Sequence, residues 1–434
     1  PIPLLGNTWR FIPFVGDYRI EEVDKVSVRL HRQYGNIVKI SGLLGRPDMV
    51  FLYDADEIEK VFRNEELMPH RPSMPSLNYY KHKLRRDFFG DDAGVIAVHG
   101  ENWYKFRTKV QQPMLQPRVS RLYVEPISNT ADEFISRVRE IRDSKLEVPA
   151  DFLNEIHKWS LESIARVALD VRLGCLDGSK MQTETQELID AVNTFFKNVG
   201  VLELKVPFWK LFSTPTWNKY INALDKITNI SMKHISSRLE ELIFPWNLMT
   251  VDRSKDTFLL QTSAAVASIL YQLSTNGEKQ EKLKEEIDRV FPEMSYLKAC
   301  IKETLRMRPV VIGNGRCMTQ DTVICGYNIP KGVQVVFQHY VISNSDRYFS
   351  EPEKFLPERW LKSSKEHNHP FAALPFGYGR RMCLGRRFAD LEIQTIITKM
   401  IQAFKIEYHH EELEYRIHPM YMPDGPLRFK CIDR

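Results

Sequence analysis

Ten residues near the C-terminus, Phe376-Gly377-Tyr378-Gly379-Arg380-Arg381-Met382-Cys383-Leu384-Gly385, constrain this chain more than any other segment. Three glycines and two arginines surround one cysteine, and a stretch with helical pattern, Arg386 to Ala403, follows at once. Glycines beside a thiol let the backbone turn tightly and approach a bulky planar group with no Cβ in the way. They leave amide N–H groups free to point at the sulfur, and the following helix adds the positive end of its dipole. Both effects favour thiolate over thiol, and thiolate is the form that binds metal. The segment reads as a haem-thiolate loop with Cys383 as the metal ligand.

The rest of the chain is consistent with one large helical unit. No repeat, low-complexity tract or Gly/Ser linker divides the 434 residues. Arg19 to Tyr34 has helical spacing, and Asn36 to Tyr53 alternates around Gly42 and Gly45 as a hairpin does. From Ala55 to about Leu305 the pattern is mostly helical, with breaks at Pro72, Pro117, Pro149 and Pro207. Strand patterns return from Pro309 to Tyr340, and the cysteine helix and terminal strands follow. This order predicts a mainly α fold with small β-sheets, an interleaved α+β unit spanning 1–434.

Composition removes several alternatives. Six scattered cysteines (Cys175, Cys300, Cys317, Cys325, Cys383, Cys431) form no paired spacing, which argues for a reducing compartment over a disulfide framework. A net charge of +5 is too small to imply a nucleic-acid partner, and no basic run is interleaved with aromatics. No apolar run is long enough to span a bilayer. The chain opens at Pro1-Ile2-Pro3 with no Met, so a targeting segment ahead of it stays open.

The pattern Phe-Gly-x-Gly-x-Arg-x-Cys-x-Gly, formed here by Phe376, Gly377, Gly379, Arg381, Cys383 and Gly385, resembles the signature of the cytochrome P-450 family. Two further segments agree. Glu303-Thr304-Leu305-Arg306, on a helix expected over Ser295–Met307, is similar to the family's ExxR motif, and Phe355-Leu356-Pro357-Glu358-Arg359-Trp360 to its PERF-type segment. The resemblance implies a buried, structural ion network of Glu303, Arg306 and Arg359. Trp103 and Arg107, four apart on one helical face, resemble the family's WxxxR, whose side chains hold a haem propionate; Arg316 and Arg381 occupy positions with the same implied task. Arginine suits it because its planar fork pairs bidentately with carboxylate.

Arg386 and Arg387 lie in the first turn of the cysteine helix, where the macrodipole disfavours cations. Cys-x-Gly-Arg-Arg resembles the mitochondrial clan of the family, insect members above all, which takes electrons from an acidic [2Fe–2S] ferredoxin. Lys298 and Lys302, one turn apart, match the basic positions that clan presents to its ferredoxin. Further upstream, residues 199–220 place Phe208, Trp209, Phe212 and Trp217 among Lys205, Lys210 and Lys219, the composition of a surface that dips into a membrane interface.

One stretch departs from the resemblance. Relatives carry an acid–Thr pair on a long helix over the haem; here, counting back from Ile269-Leu270-Tyr271, the acid slot falls on Leu260, the first Thr slot on Gln261, and only Thr262 keeps a hydroxyl. A helix over 257–273 spans ~25 Å at 1.5 Å per residue, short for this task. The abrupt Leu242-Ile243-Phe244-Pro245-Trp246-Asn247 and Pro292-Glu293-Met294 junctions look like sites of lost residues.

The resemblance therefore implies a monooxygenase holding haem b (iron protoporphyrin IX) on Cys383, with Thr262 as the oxygen-side hydroxyl. It would insert one oxygen atom of O₂ into a lipophilic substrate, a steroid or a foreign compound met by loops near 67–98 and 199–217. NADPH would supply electrons through a ferredoxin reductase and the ferredoxin. The implied location is the matrix side of the mitochondrial inner membrane, by peripheral contact, with the endoplasmic reticulum membrane as the alternative. Two other readings stand beside it: a haem-thiolate isomerase or dehydratase of peroxides, and a non-catalytic haem or ligand binder or inactive shortened product.

Overall fold

The computed structural model describes residues 5–434 apart from 13, 72, 73, 91–93, 97, 169, 179, 180, 182, 242–258, 290–292, 418 and 419; at 237–241, 259 and 260 it describes the backbone alone. The 242–247 junction and part of the 292–294 junction lie outside the described residues.

Helices dominate, and their ends follow local chemistry. Asp54 caps the helix Ala55–Arg63, its Oδ1 accepting the amides of Asp56 and Glu57 at 3.1 Å. Pro117 opens the helix Pro117–Arg121, where its missing N–H costs no bond. The helices Ser295–Met307 and Arg386–Ala403 have the bounds their sequence pattern predicts.

The larger sheet binds the chain's ends into one body. Strands Ile37–Ile40 and Met49–Leu52 form the expected hairpin, and Met49–Leu52 then pairs in parallel with Gln334–Phe337, itself antiparallel to Asn314–Cys317. This sheet sets the segment after Ser295–Met307 beside the N-terminal strands. The unit is interleaved.

The helix Leu259–Thr275 runs through the centre. Ala264, Val266, Ala267, Ile269, Leu270 and Leu273 are all fully buried, and its small residues let the helices Phe152–Ala168 and Arg386–Ala403 pack close. A helix apolar all round is stable only inside a core, where each large side chain contributes ~1.5–3 kcal/mol. Among the described residues no helix is long and apolar enough to cross a membrane.

The 199–220 segment corrects its sequence reading in part. It joins the helix Thr183–Leu204 to Pro215–Glu241 through a short turn, Phe208–Lys210. Trp209 and Trp217 stack on each other, ring centres 4.6 Å apart, and are buried. They serve the core. Phe208, Leu211 and Phe212 do face outward, as that reading expects of the two phenylalanines.

Candidate haem-thiolate site

The cysteine loop is built by backbone bonds that its glycines permit. Gly377 N–H bonds Leu374 O at 3.0 Å, Met382 N–H bonds Gly379 O at 3.1 Å, and Cys383 N–H closes the loop on Phe376 O at 2.9 Å. Gly377 and Gly379 take φ of +70° and +74°, which L side chains resist, and a Cβ on Gly379 would stand 2.6 Å from the Glu65 carboxylate. Gly385 has an ordinary φ of −82° at the helix start. Its amide points at the Cys383 sulfur instead.

Burial corrects one electrostatic expectation. It pushes the Cys383 thiol pKa up, and the Gly385 amide, Arg107 and Arg71 only partly offset it. Loop and dipole alone do not hold a thiolate here. A bound metal ion removes that proton on coordination.

Cys383 opens into a cavity of about 200 Å³. Thr262 and Ala265 of the 259–275 helix form one wall, and Arg71, Trp103, Arg107 and Arg381 gather at another. Trp103 and Arg107, both buried, come from one face of the helix Gly100–Leu115 as their spacing predicts. Arg381 lies over the Trp103 ring and donates to the carbonyl of Pro69 at 2.9 Å. Arg316 sits behind this group rather than in the cavity wall, its Nε 2.5 Å from Glu65 Oε1. Burial and mutual repulsion lower Arg381 to about 9 and Arg71 to about 10.

These clustered groups test what the cavity can hold. The charges acting on Arg71 are Arg316 and Arg107, which oppose it, and Cys383; the carboxylate nearby, Glu65, is already paired. Both ring nitrogens of His339, in the same wall, are buried without a partner. Several buried guanidinium groups gathered at one wall suit an anionic ligand, and a thiol opposite them suits a metal. Haem, with two carboxylates on a plane around one iron, fits this donor set.

Behind the loop, Glu303 is fully buried and meets Arg306 at two points, Nε–Oε2 and Nη2–Oε1, each 2.9 Å. Its Oε1 also accepts from Arg359 Nε at 3.1 Å, and its Oε2 from the Trp360 indole at 2.8 Å. Four basic residues lie on the outside. Lys298, Lys302, Arg386 and Arg387 are exposed, and Asp390 lies among three of them: it pairs with Arg386 at 3.6 Å and feels the charges of Arg387 and Lys298.

Two residues escaped the sequence reading. Arg71 lies in an irregular stretch with no helical spacing to mark it; the only local sign is its place in Pro69-His70-Arg71-Pro72, between two rigid residues. Glu392 was legible. It occupies the buried stripe Glu392, Ile393, Ile396, Ile397, Met400, where an acid is out of place.

Comparison with known proteins agrees with this geometry. The family model described as Cytochrome P450 matches residues 1–253 and 261–430, and the break falls at the foot of the 259–275 helix. A probable cytochrome P450 49a1 of Drosophila melanogaster is 46% identical over 479 positions, covering 99% of this chain and 81% of that protein. That alignment is longer than the 434-residue chain, so the relative carries residues that this chain lacks. A probable mitochondrial cytochrome P450 301a1 of the same fly is also 46% identical, covering 99% of this chain and 85% of that one. Cytochrome P450 CYP12A2 of Musca domestica is 33% identical, covering 100% and 89%. In fold, the crystal structure of a cytochrome P450DA heme domain superposes with a TM-score of 0.79 at 18% identity, covering 98% of this chain and 96% of that one.

Proposed function

This chain belongs to the cytochrome P450 family, the haem-thiolate monooxygenases, and on that premise we propose that it oxidises a lipophilic substrate in mitochondria with electrons delivered by a ferredoxin. The observation that carries the reading is the single cavity walled by Cys383, Thr262 and three guanidinium groups. Haem supplies the dioxygen chemistry when bound. Cys383 would hold the iron, and Trp103, Arg107, Arg381 and the newly found Arg71 would hold the propionates, with Arg316 steadied behind them by Glu65. Ile96, Ala265, Val310, Val311 and Leu374 line the same cavity and favour an apolar substrate, steroid or foreign lipophile.

The electron donor would dock on the face formed by Lys298, Lys302, Arg386 and Arg387, the last two at the start of the helix that follows Cys383. An acidic [2Fe–2S] ferredoxin, reduced by NADPH through its reductase, complements that face. The relatives named mitochondrial support this compartment. Exposed Phe208, Leu211 and Phe212, beside Lys210, suit a peripheral contact with the matrix side of the inner membrane.

The test is the absorption spectrum of the reduced protein with carbon monoxide, followed by reconstitution with ferredoxin and its reductase. A red-shifted Soret band and NADPH oxidation that depends on ferredoxin are the expected results. An unshifted band would exclude thiolate ligation. Electron uptake from a microsomal flavoprotein reductase in place of ferredoxin would overturn the assignment of donor and compartment.

A further inference from the structure

A separate cavity of about 760 Å³ lies away from the haem-thiolate site. Its floor is one face of the larger sheet. Val38, Phe51 and Val336 stand in one row across three strands, while the alternate residues Val50 and Val335 are buried in the core on the other face. Val23, Val26 and Leu30 of the helix Val23–Tyr34 form one wall, and Leu204 and Val206, where the helix Thr183–Leu204 ends, form another. Tyr34 and Leu44, both exposed, mark where the cavity opens. Among the described residues, none lines both this cavity and the one at Cys383. Its volume lies within the roughly 300–1,000 Å³ of small-molecule pockets, and its aliphatic walls suit an apolar chain.

Three cations also line it, and two of them have a carboxylate. Arg10 is 3.0 Å from Asp17, and Lys39 is 3.2 Å from Asp48. Arg46 forms no ion pair among the described residues. Its Nη2 donates to two backbone carbonyls, that of Glu203 and, at 3.0 Å, that of Lys205, while its Nε and Nη1 have no partner among the described residues. The carboxylate whose charge reaches it, Glu203, is engaged elsewhere, its Oε1 accepting from the Ser76 amide at 2.9 Å and from the Ser76 hydroxyl. Burial lowers the pKa of Arg46 and raises that of Glu203, as expected of a cation and an acid that do not neutralise each other. Fixing the hairpin tip to the end of the helix Thr183–Leu204 takes one nitrogen of Arg46. Two remain for a ligand.

We propose that this cavity is a second ligand site, which takes one long-chain fatty carboxylate. The alkyl chain lies on the face of Val38, Phe51 and Val336, and the carboxylate pairs with the remaining N–H groups of Arg46. One unmatched cation at an apolar cavity calls for one negative charge on an apolar chain. A zwitterionic phospholipid would leave that cation unmatched. Because Arg46 already joins the hairpin tip to the end of the helix Thr183–Leu204, the bound ligand braces the two against each other. The site stands whether or not the haem-thiolate reading does, since the two cavities share no residue among those described.

The test uses the haem-loaded protein with phenylimidazole on the iron, so that the haem cavity is already filled, and titrates it with hexadecanoate in a calorimeter. One equivalent is expected to bind without displacing the azole, whose Soret band stays unmoved. Hexadecanol, which has the chain without the charge, is expected to bind the unaltered protein at least tenfold more weakly, a comparison that needs no variant. Arg46→Gln should weaken hexadecanoate about tenfold and leave hexadecanol unchanged, with R46K recovering part of the loss. Ile40→Trp, which fills the cavity, should weaken both probes. Both R46Q and I40W are expected to keep the red-shifted carbon monoxide band. No binding beside the azole, displacement of the azole, equal affinity for the acid and the alcohol, or parent affinity in both R46Q and I40W would overturn the site. So would association with phosphatidylcholine vesicles in place of the free acid, which leaves only the surface contact at Phe208 and Phe212.

Discussion

The guanidinium carbon of Arg381 stands 3.7 Å from the centre of the Trp103 ring, which joins the cysteine loop to the helix Gly100–Leu115 across the cavity wall. An arginine this buried, with its pKa lowered to about 9 by desolvation and by Arg71, Arg316 and Arg107, needs such a face to stay aimed at an anion.

Replacing Trp103 by Leu would remove the ring and keep an apolar side chain. A desolvated cation–π contact contributes roughly 2 kcal/mol, so W103L is expected to release haem to apomyoglobin about thirtyfold faster than the parent. W103F, which keeps an aromatic face, should lie between. Equal release from all three would show that Arg381 is held by its carbonyl partners alone.

Glu303→Ala leaves two fully packed guanidinium groups, Arg306 and Arg359, without their carboxylate. Removing one member of a buried ion network costs ~3–5 kcal/mol. The variant is expected to unfold at markedly lower temperature, or to fail to accumulate as soluble protein, while E303Q loses less because its amide oxygen still accepts. Circular dichroism melting of the three proteins decides it.

How far the sequence reveals these features depends on how local each one is. Glu303 and Arg306 are three residues apart on a helix, and Trp103 and Arg107 four apart, so each pair's geometry is set by the helical repeat itself. Glu65 against Arg316, and Arg71 facing Cys383, join segments far apart in the chain with no periodicity to reveal them. Trp209 and Trp217 read as surface because their neighbours are lysines, but Tyr79 and Tyr220 cover them. The net effect on the Cys383 thiol was illegible for another reason. Desolvation of Cys383 depends on how much protein surrounds the loop, and no motif encodes that.

Charge reversal on the basic face should act on encounter rather than on the haem site. Lys298 and Lys302 are exposed, Lys298 donating to the Glu293 carbonyl and Lys302 lying over the Trp360 ring, so K298E/K302E alters the surface field. Ferredoxin-supported reduction is expected to slow about tenfold at low ionic strength, with the difference shrinking as salt is added. The carbon monoxide spectrum after chemical reduction should not change. Stopped-flow reduction across a salt series checks both halves.

His339 gives the pH dependence that can be isolated most cleanly. Burial, and the nearby Arg316, lower its pKa from 6.5 to about 4, and neither ring nitrogen has a partner. In the unfolded chain the imidazole takes up a proton below about 6.5; in the folded chain it stays neutral until about 4. Between those values the unfolded state binds more protons, so stability falls as pH falls, by up to about 1.4 kcal/mol per pH unit for one such group. Above pH 6.5 both states are neutral there and the contribution is constant. His339→Phe removes the titration and leaves an apolar ring of similar size in an apolar place. Urea unfolding of parent and H339F at pH 7.5 and pH 5 should show a gap between the two proteins that widens at the lower pH in favour of the variant. A gap of the same size at both would mean that the histidine protonates in the folded chain as easily as in water.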